Sequence, residues 1–130
     1  MTSEIKVHTS YYAGVRNLPY GKVVFVQVSN TTPDWFDKPL CRLSQNVFPD
    51  WSIINQYKSG AISYEAFSER YRETLDTICD RKKLIDELEQ LAEERNCTNV
   101  VLLCWEKDDK QCHRSVLGEW LKIDNFKGEL

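Results

Sequence analysis

Reactive and charged side chains are concentrated between positions 104 and 114, in the stretch "CWEKDDKQCHR". They belong to Cys104, Glu106, Cys112, His113 and Arg114. A thiolate is a nucleophile, a carboxylate or imidazole can move a proton, and a guanidinium matches the geometry of phosphate and carboxylate. These residue types indicate an anion-binding site with nucleophilic or acid–base chemistry, in which Cys112, His113 and Glu106 are the reactive groups and Arg114 binds the ligand.

The flanking sequence places these residues between a strand and a helix. The apolar run "NVVLLCW", 99–105, predicts a buried strand that ends at Glu106, and "SVLGEWL" predicts a C-terminal helix that begins near Cys112. The N–H groups and the partial positive charge at a helix N-terminus favour anions and lower the pKa of a thiol. An anionic ligand, a nucleotide or phosphate, is therefore the expected partner.

Structural roles for the same residues stay open. Cys104 can be a small core residue within its strand, and Cys112 can be half-buried at the helix start. Glu106 and Arg114 can form an ion pair that fixes the loop. A zinc site made by Cys104, Cys112 and His113 is a further alternative, but no fourth ligand is evident, so no metal site is predicted and the cofactor is unknown.

Two other phosphate motifs are excluded by the sequence. A tyrosine-phosphatase loop needs an arginine six positions after its cysteine, and counting from Cys104 reaches Lys110. The intervening "WEKDD" would set carboxylates against the phosphate. Glycine-rich phosphate loops of the Walker and dinucleotide types are absent from the sequence.

The remaining elements predict an α/β fold, a small three-layer sandwich with a mainly parallel sheet flanked by helices. Further strands are predicted over 4–9 and 22–29, with one or two short ones in 36–50. A short helix capped by Asp50 or Ser52 is predicted through Lys58, and further helices are predicted after Ser63 and over "RKKLIDELEQLAEERN". One domain is expected over 1–130, with a tail from about 123.

The ends of the predicted strands add three ligand-binding candidates. Ser10 and Tyr11 follow the first strand, and Ser29 follows the second. Ligands of open parallel sheets bind beyond the carboxyl ends of the strands, because loops and helix N-termini meet there. We therefore expect Ser10, Tyr11 and Ser29 to join Arg114 in binding.

Composition and charge limit the classes of binding partner and the cellular location that we expect. The chain is 42% hydrophobic and 28% charged, which is typical of a globular domain, and its net charge of −3 makes nucleic acid an unlikely partner. No run approaches the roughly 18 apolar residues of a membrane span, and the N-terminus "MTSEIKVHTSYY" has no signal-peptide core, so a cytoplasmic location is expected. Five cysteines without a signal peptide indicate mostly free thiols.

A non-enzymatic protein-interaction module is the alternative function. Large aromatic side chains often contact protein partners, and several lie in or beside irregular segments. They are Trp35, Phe36, Phe48, Trp51 and Tyr57.

Nearly the whole chain resembles the uncharacterised YeaO-like family, domain of unknown function 488 (DUF488). "VVLLCWEKDDKQCHRSVLGEWL" is similar to the family signature V-x-L-L-C-x-E, a short turn, then C-H-R and a helix. "IKVHTSYYAGVRNLP" resembles the family's "TSYFA" opening, and "VQVSNTTPDWF" its second strand and "PKWF" turn. "FPDWSIINQYKSGAISYEAFSERYRETL" resembles its "PPWSLLxxYK…YTERY" segment.

The resemblance implies a small α/β sandwich with the signature residues near one end of the sheet. By motif match these are Cys104, Glu106, Cys112, His113 and Arg114, together with Ser10 and Tyr11. The family name brings no settled reaction. The chain departs from the pattern in "RLSQNVFPDW", where a shorter approach to the P-x-W is usual, and in the more charged "KDDKQ" turn.

Overall fold

The fold was analysed in a computed structural model, which describes residues 5–16, 23–105, 113–123 and 126–129. A short 3-10 helix, Ala13–Val15, follows the first strand. The strands are β1 (Lys6–Tyr11), β2 (Val23–Gln27), β3 (Leu40–Arg42), β4 (Asn99–Cys104) and β5 (Phe126–Glu129), and the helices are α1 (Trp51–Lys58), α2 (Tyr64–Ile78), α3 (Arg81–Glu94) and α4 (His113–Trp120).

Side-chain caps fix where three of the helices begin. Asp50 accepts a hydrogen bond from the backbone N–H of Ser52, Ser63 from that of Ala66, and Asp80 from that of Lys83. Each bond satisfies an N–H group that has no partner inside its helix. The predicted starts of the first two of these helices are therefore confirmed, with Asp50 rather than Ser52 as the cap of α1.

The five strands form one parallel sheet in the order β3-β2-β4-β1-β5. The connections from β3 to β4 and from β4 to β5 run in one direction across the sheet, and those from β1 to β2 and from β2 to β3 run in the other. Because parallel crossovers are right-handed, the two directions place their connections on opposite faces. The first pair contains the four α-helices that the described residues form, so these helices lie on one face of the sheet.

The two faces consequently have different cores. The helical face buries Val26, Val100 and Leu102 against Leu75 and Leu88 of the helices. The opposite face buries Phe25, Val101 and Leu103 under Tyr12 and Val15, with Phe36 packed against them. The predicted α/β sandwich with a parallel sheet is confirmed, and its second flanking layer is thin.

Several local predictions needed adjustment. β1 extends to Tyr11, so His8 lies inside the strand, where its Nε2 lies 3.0 Å from Oδ1 of Asn99. The predicted short strand in 36–50 is confirmed as β3. The segment expected to be a tail contributes β5, which pairs with β1. The spacing of Phe67, Tyr71, Leu75 and Ile78 predicts one buried face on α2, but Ile78 is 53% exposed at the last residue of that helix.

Candidate functional site

Buried polar side chains are concentrated at the carboxyl edge of the sheet, where β1, β2 and β4 end. Seven polar or charged residues are buried in the described part of the chain, and six of them lie at this edge or at the start of α4. Burial of a polar group destabilises a fold unless hydrogen bonds compensate. The six are Thr9, Ser10, Gln27, Ser29, His113 and Arg114.

A chain of hydrogen bonds fixes the segment that follows β2. The hydroxyl of Ser29 donates to the carbonyl of Thr31 at 2.6 Å and lies 2.7 Å from the hydroxyl of Tyr12. Since the Ser29 proton is used toward Thr31, Tyr12 donates to Ser29. The side-chain amide of Gln27 donates to the carbonyl of Ser29 at 2.8 Å. Ser29, a predicted ligand-binding residue, is therefore a buried link between the ends of β1 and β2.

The end of β4 is tied to the same segment by Trp105. Its indole Nε1 donates to the carbonyl of Thr31 at 3.0 Å and lies 3.1 Å from the Thr31 hydroxyl. The indole ring meets the Tyr12 ring edge-on, with centroids 5.9 Å apart. The ring of Trp105 is thus held in one orientation although it is 47% exposed.

His113, the first residue of α4, connects that helix to the end of β2. Its Nε2 is hydrogen-bonded to the carbonyl of Val28, and its ring stands edge-on to the ring of Tyr71. A carbonyl only accepts hydrogen bonds, so Nε2 carries the proton.

Arg114 lies next to His113 and is fully buried. Its Nη1 donates to Sγ of Cys104 at 3.1 Å, which links the start of α4 to the last residue of β4. Cys104 is itself fully buried and is disulfide-bonded, so its sulfur accepts this bond without being a thiolate. The expectation of a core position for Cys104 is met, whereas the expectation of mostly free thiols is confirmed for Cys41, Cys79 and Cys97 and not for Cys104.

Thr9 was not among the predicted site residues, but its buried hydroxyl lies at this edge. Its hydroxyl is fully buried and has no hydrogen-bond partner among the described residues. Because side chains alternate along a strand, Thr9 shares with Val7 the face that α4 covers. A threonine at the end of a strand carries no distinctive sequence signal, so only the packing identifies it.

The other predicted residues are placed as follows. Ser10 is buried on β1, and the half-buried ring of Tyr11 lies so close to Gly14 that a Cβ there would be 2.7 Å from Tyr11 Cε1. Glu106 and Cys112 lie outside the described residues. The structure thus brings Ser29, His113 and Arg114 to one edge, and it leaves the predicted catalytic carboxylate and thiol untested.

Burial also affects the acid–base properties of this edge. Loss of water raises the pKa of Tyr12 above 10.0, and the hydrogen bond with Ser29 lowers it in part. Tyr71, beneath the His113 ring, has its pKa raised well above 10.0 by complete burial, with a smaller contribution from Cys79. Both hydroxyls are therefore neutral donors at physiological pH, and neither is a general base.

A cavity of about 260 Å³ opens at the opposite, amino-terminal edge of the sheet. It lies between β2, β3 and the end of α3, and none of the predicted site residues lines it. Its walls are mainly apolar, with two thiols and one cation: Val23, Val24, Phe25, Pro39, Cys41, Arg95 and Cys97. This cavity and the buried polar side chains thus lie at different edges of the sheet.

The described residues show neither a metal cluster nor a membrane span. Within 5–16, 23–105, 113–123 and 126–129, no three His, Cys, Asp or Glu residues come together as metal ligands. In the same ranges, no helix has both the length and the apolar character needed to cross a bilayer.

Comparison with known proteins gives one match. The model of the family DUF488-N3a, described as "Active DUF488-N3 subclade", matches residues 9–125. That range includes β1 to β4 and α1 to α4, together with both segments that bear the predicted site residues. No curated protein and no solved structure gives a significant match to the chain.

Proposed function

The chain belongs to the DUF488-N3a family, and from that premise we propose that it binds a small anionic ligand, a nucleotide or phosphate, at the carboxyl edge of its sheet. The family description calls the subclade active without naming a reaction. The observation that carries the proposal is the concentration of buried polar side chains at this edge. A buried polar group destabilises a domain unless it is hydrogen-bonded, and the Thr9 hydroxyl at this edge has no partner among the described residues, which a bound ligand would supply.

Arg114 is the proposed anion-binding residue. Its guanidinium is fully buried beside the sulfur of Cys104, and it belongs to the first turn of α4, whose dipole favours negative charge. An anion that binds there loses its water, and the attraction between charges is stronger in such a site than in solvent. The hydroxyl of Thr9 is the proposed neutral donor to the same ligand.

Hydrolase or transferase chemistry at Glu106, Cys112 and His113 is the second part of the proposal. His113 is fixed by its Nε2 bond to the Val28 carbonyl and would be the proton carrier. Glu106, or Cys112 as a reduced thiolate, would be the reactive group. A double variant, Cys112→Ala with Glu106→Gln, is expected to retain ligand binding and to lose turnover of any nucleotide the wild type converts; retained turnover contradicts this assignment.

A thermal-shift screen tests the binding proposal. Wild type is compared with Arg114→Lys and Arg114→Ala in phosphate, mononucleotides, nicotinamide nucleotides and zinc. A ligand at about 100 times its Kd adds roughly 2.7 kcal/mol to the unfolding free energy, which raises the Tm of a domain of this size by several degrees. We expect wild type to respond to a phosphate-containing ligand and both Arg114 variants to lose the response.

Arg95→Ala is the matched control, because it removes an arginine from the cavity at the opposite edge. It is expected to keep the full response. A response that survives in folded Arg114→Lys contradicts the role of Arg114. A flat screen in wild type contradicts the proposed function and favours the alternative of a protein-interaction module.

A further inference from the structure

A set of aromatic side chains covers the thin face of the sheet beside the proposed site. The rings form a continuous series of edge-on contacts: Trp105 with Tyr12, Tyr12 with Phe36 at 5.1 Å, and Phe36 with Trp35 at 6.3 Å. Arg16 lies over the Trp35 ring, 4.6 Å from its centroid. We call Tyr12, Trp35, Phe36, Trp105 and Arg16 the aromatic surface.

Packing on the sheet explains only part of this surface. Tyr12 is buried and Phe36 is partly buried, as expected of residues that cover Phe25 and Leu103. Trp35 and Trp105 are 43% and 47% exposed. Two large aromatic rings on this surface are therefore exposed to solvent.

The orientation of the Trp105 ring is fixed by hydrogen bonds before a ligand binds. Both acceptors of its N–H belong to Thr31, so the plane of the ring is set before any ligand arrives. A ring fixed in advance loses little conformational entropy when another ring stacks on it. Indole faces stack well on nucleobases and need no matching hydrogen-bond pattern.

The position of Trp105 joins this surface to the proposed anion site. Trp105 follows Cys104 directly, and the sulfur of Cys104 accepts the hydrogen bond from Arg114. Successive residues of a strand point to opposite faces, so the indole and the guanidinium lie on either side of the same strand end.

We infer that Trp105 stacks on the base of a nucleotide whose phosphate is bound near Arg114. This inference rests on the proposed function and adds a substrate class to it, because it requires an aromatic base as well as a phosphate. The positive charge of Arg16 on the same surface favours an anionic ligand over an uncharged one. Trp105 is thereby assigned as a binding residue for the base.

Calorimetric titration with AMP, ribose 5-phosphate and inorganic phosphate tests the inference. Wild type is expected to bind AMP about tenfold more tightly than ribose 5-phosphate, since the base adds a stacking contact. Trp105→Ala should lower the AMP affinity to that of ribose 5-phosphate and leave the ribose 5-phosphate affinity unchanged. Trp105→Phe should keep most of the difference.

Trp51→Ala is the matched control, because Trp51 is 55% exposed at the start of α1 and lies outside the aromatic surface. Fluorescence gives a second measurement if Trp105→Ala does not fold. AMP is expected to quench the tryptophan emission of wild type and of Trp51→Ala, and to leave that of Trp105→Phe unchanged while calorimetry still shows binding.

The outcomes separate this inference from the proposed function. Equal wild-type affinities for AMP and ribose 5-phosphate overturn the inference alone, as does a loss in Trp105→Ala that is the same for both compounds. Undiminished quenching in Trp105→Phe also overturns it. If wild type binds none of the three compounds, the proposed function and the inference are overturned together.

Discussion

The two edges of the parallel sheet differ in what they bury. At the carboxyl edge, Ser29, His113 and Arg114 are buried and hydrogen-bonded between the ends of neighbouring strands and the start of α4. At the amino edge, the described residues leave a cavity of about 260 Å³ with apolar walls, two thiols and Arg95. Among the described residues, buried polar groups characterise the carboxyl edge, and this mainly apolar cavity characterises the amino edge.

This difference teaches that the volume of a cavity and the chemistry of a site need not coincide. Loops and helix starts meet at the carboxyl edge of a parallel sheet, so polar side chains can be brought together there and closed off by hydrogen bonds. The amino edge receives the C-terminal end of α3 and the start of β4, and the cavity lies between these elements and β2 and β3.

The largest change in unfolding free energy is expected where α4 packs most closely against β5. Gly118 lies on α4 where an added Cβ would overlap the ring of Phe126 on β5. Gly118→Ala should lower the unfolding free energy by about 1–3 kcal/mol, because α4 or β5 must move, even though alanine favours helix more than glycine does. Urea denaturation measures the change.

Phe126→Leu is the companion variant for this test. In the Gly118→Ala background it should recover part of the lost stability, since the smaller side chain makes room for the methyl group. A rise in stability for Gly118→Ala alone would show that helix propensity prevails and that α4 is not closely held against β5.

Two buried hydroxyl groups give an effect of intermediate size. Thr9 at the carboxyl edge and Ser68 on α2 each have a buried hydroxyl without a hydrogen-bond partner among the described residues. Thr9→Val and Ser68→Ala should each raise the unfolding free energy by about 1 kcal/mol, because an unsatisfied buried hydroxyl is removed. Thermal denaturation measures both changes.

The two hydroxyls are expected to differ in their relation to the ligand. Only Thr9→Val should reduce the thermal shift produced by a phosphate-containing ligand, since Ser68 lies outside the proposed site. An equal response in the two variants would remove Thr9 from the site and weaken the contrast between the carboxyl edge and the rest of the fold.

The cavity at the amino edge gives the smallest expected effect. Cys41 lines it, and Cys41→Val adds little volume to a site that has space, so stability near neutral pH should change by less than about 1 kcal/mol. Urea denaturation checks this expectation. A larger loss would show that the cavity is more closely packed than its volume indicates.

The same variant tests a pH dependence. Burial raises the pKa of the Cys41 thiol above 9.0, an effect that Arg95 lowers in part and Glu94 adds to. Above that pH the unfolded thiol loses its proton before the folded one, so the unfolded state binds fewer protons and stability falls as pH rises. The stability of wild type relative to Cys41→Val should therefore decline between neutral pH and about pH 10.

Much of the fold was accessible from local sequence patterns. Leu84, Leu88 and Ala92 repeat at helical spacing and are buried in α3, and the apolar run at 99–105 forms the central strand β4. The strand at 126–129 could not be predicted in this way, because Phe126 and its neighbours have no strand pattern of their own. β5 exists because it pairs with β1, which is a contact distant in sequence.

The candidate site was accessible only in part. Ser29, His113 and Arg114 could be selected because their types and positions at strand and helix ends suggest binding. Thr9 and Trp105 could not, since an ordinary threonine within a strand and a tryptophan after one are more often packing residues. Their significance lies in an unsatisfied hydroxyl and a fixed, exposed ring, which are properties of the surroundings.

Local sequence was sufficient for the α/β class, for the position of several helices and strands and for the stretch that bears the candidate reactive residues. These depend on local periodicity, capping and composition, which are written into neighbouring residues. Only the tertiary structure decided that all four α-helices lie on one face, that Arg114 is buried against Cys104 and that Trp105 is fixed by Thr31. Strand order and crossover handedness bring those residues together, and such contacts between distant segments leave no local pattern in the sequence.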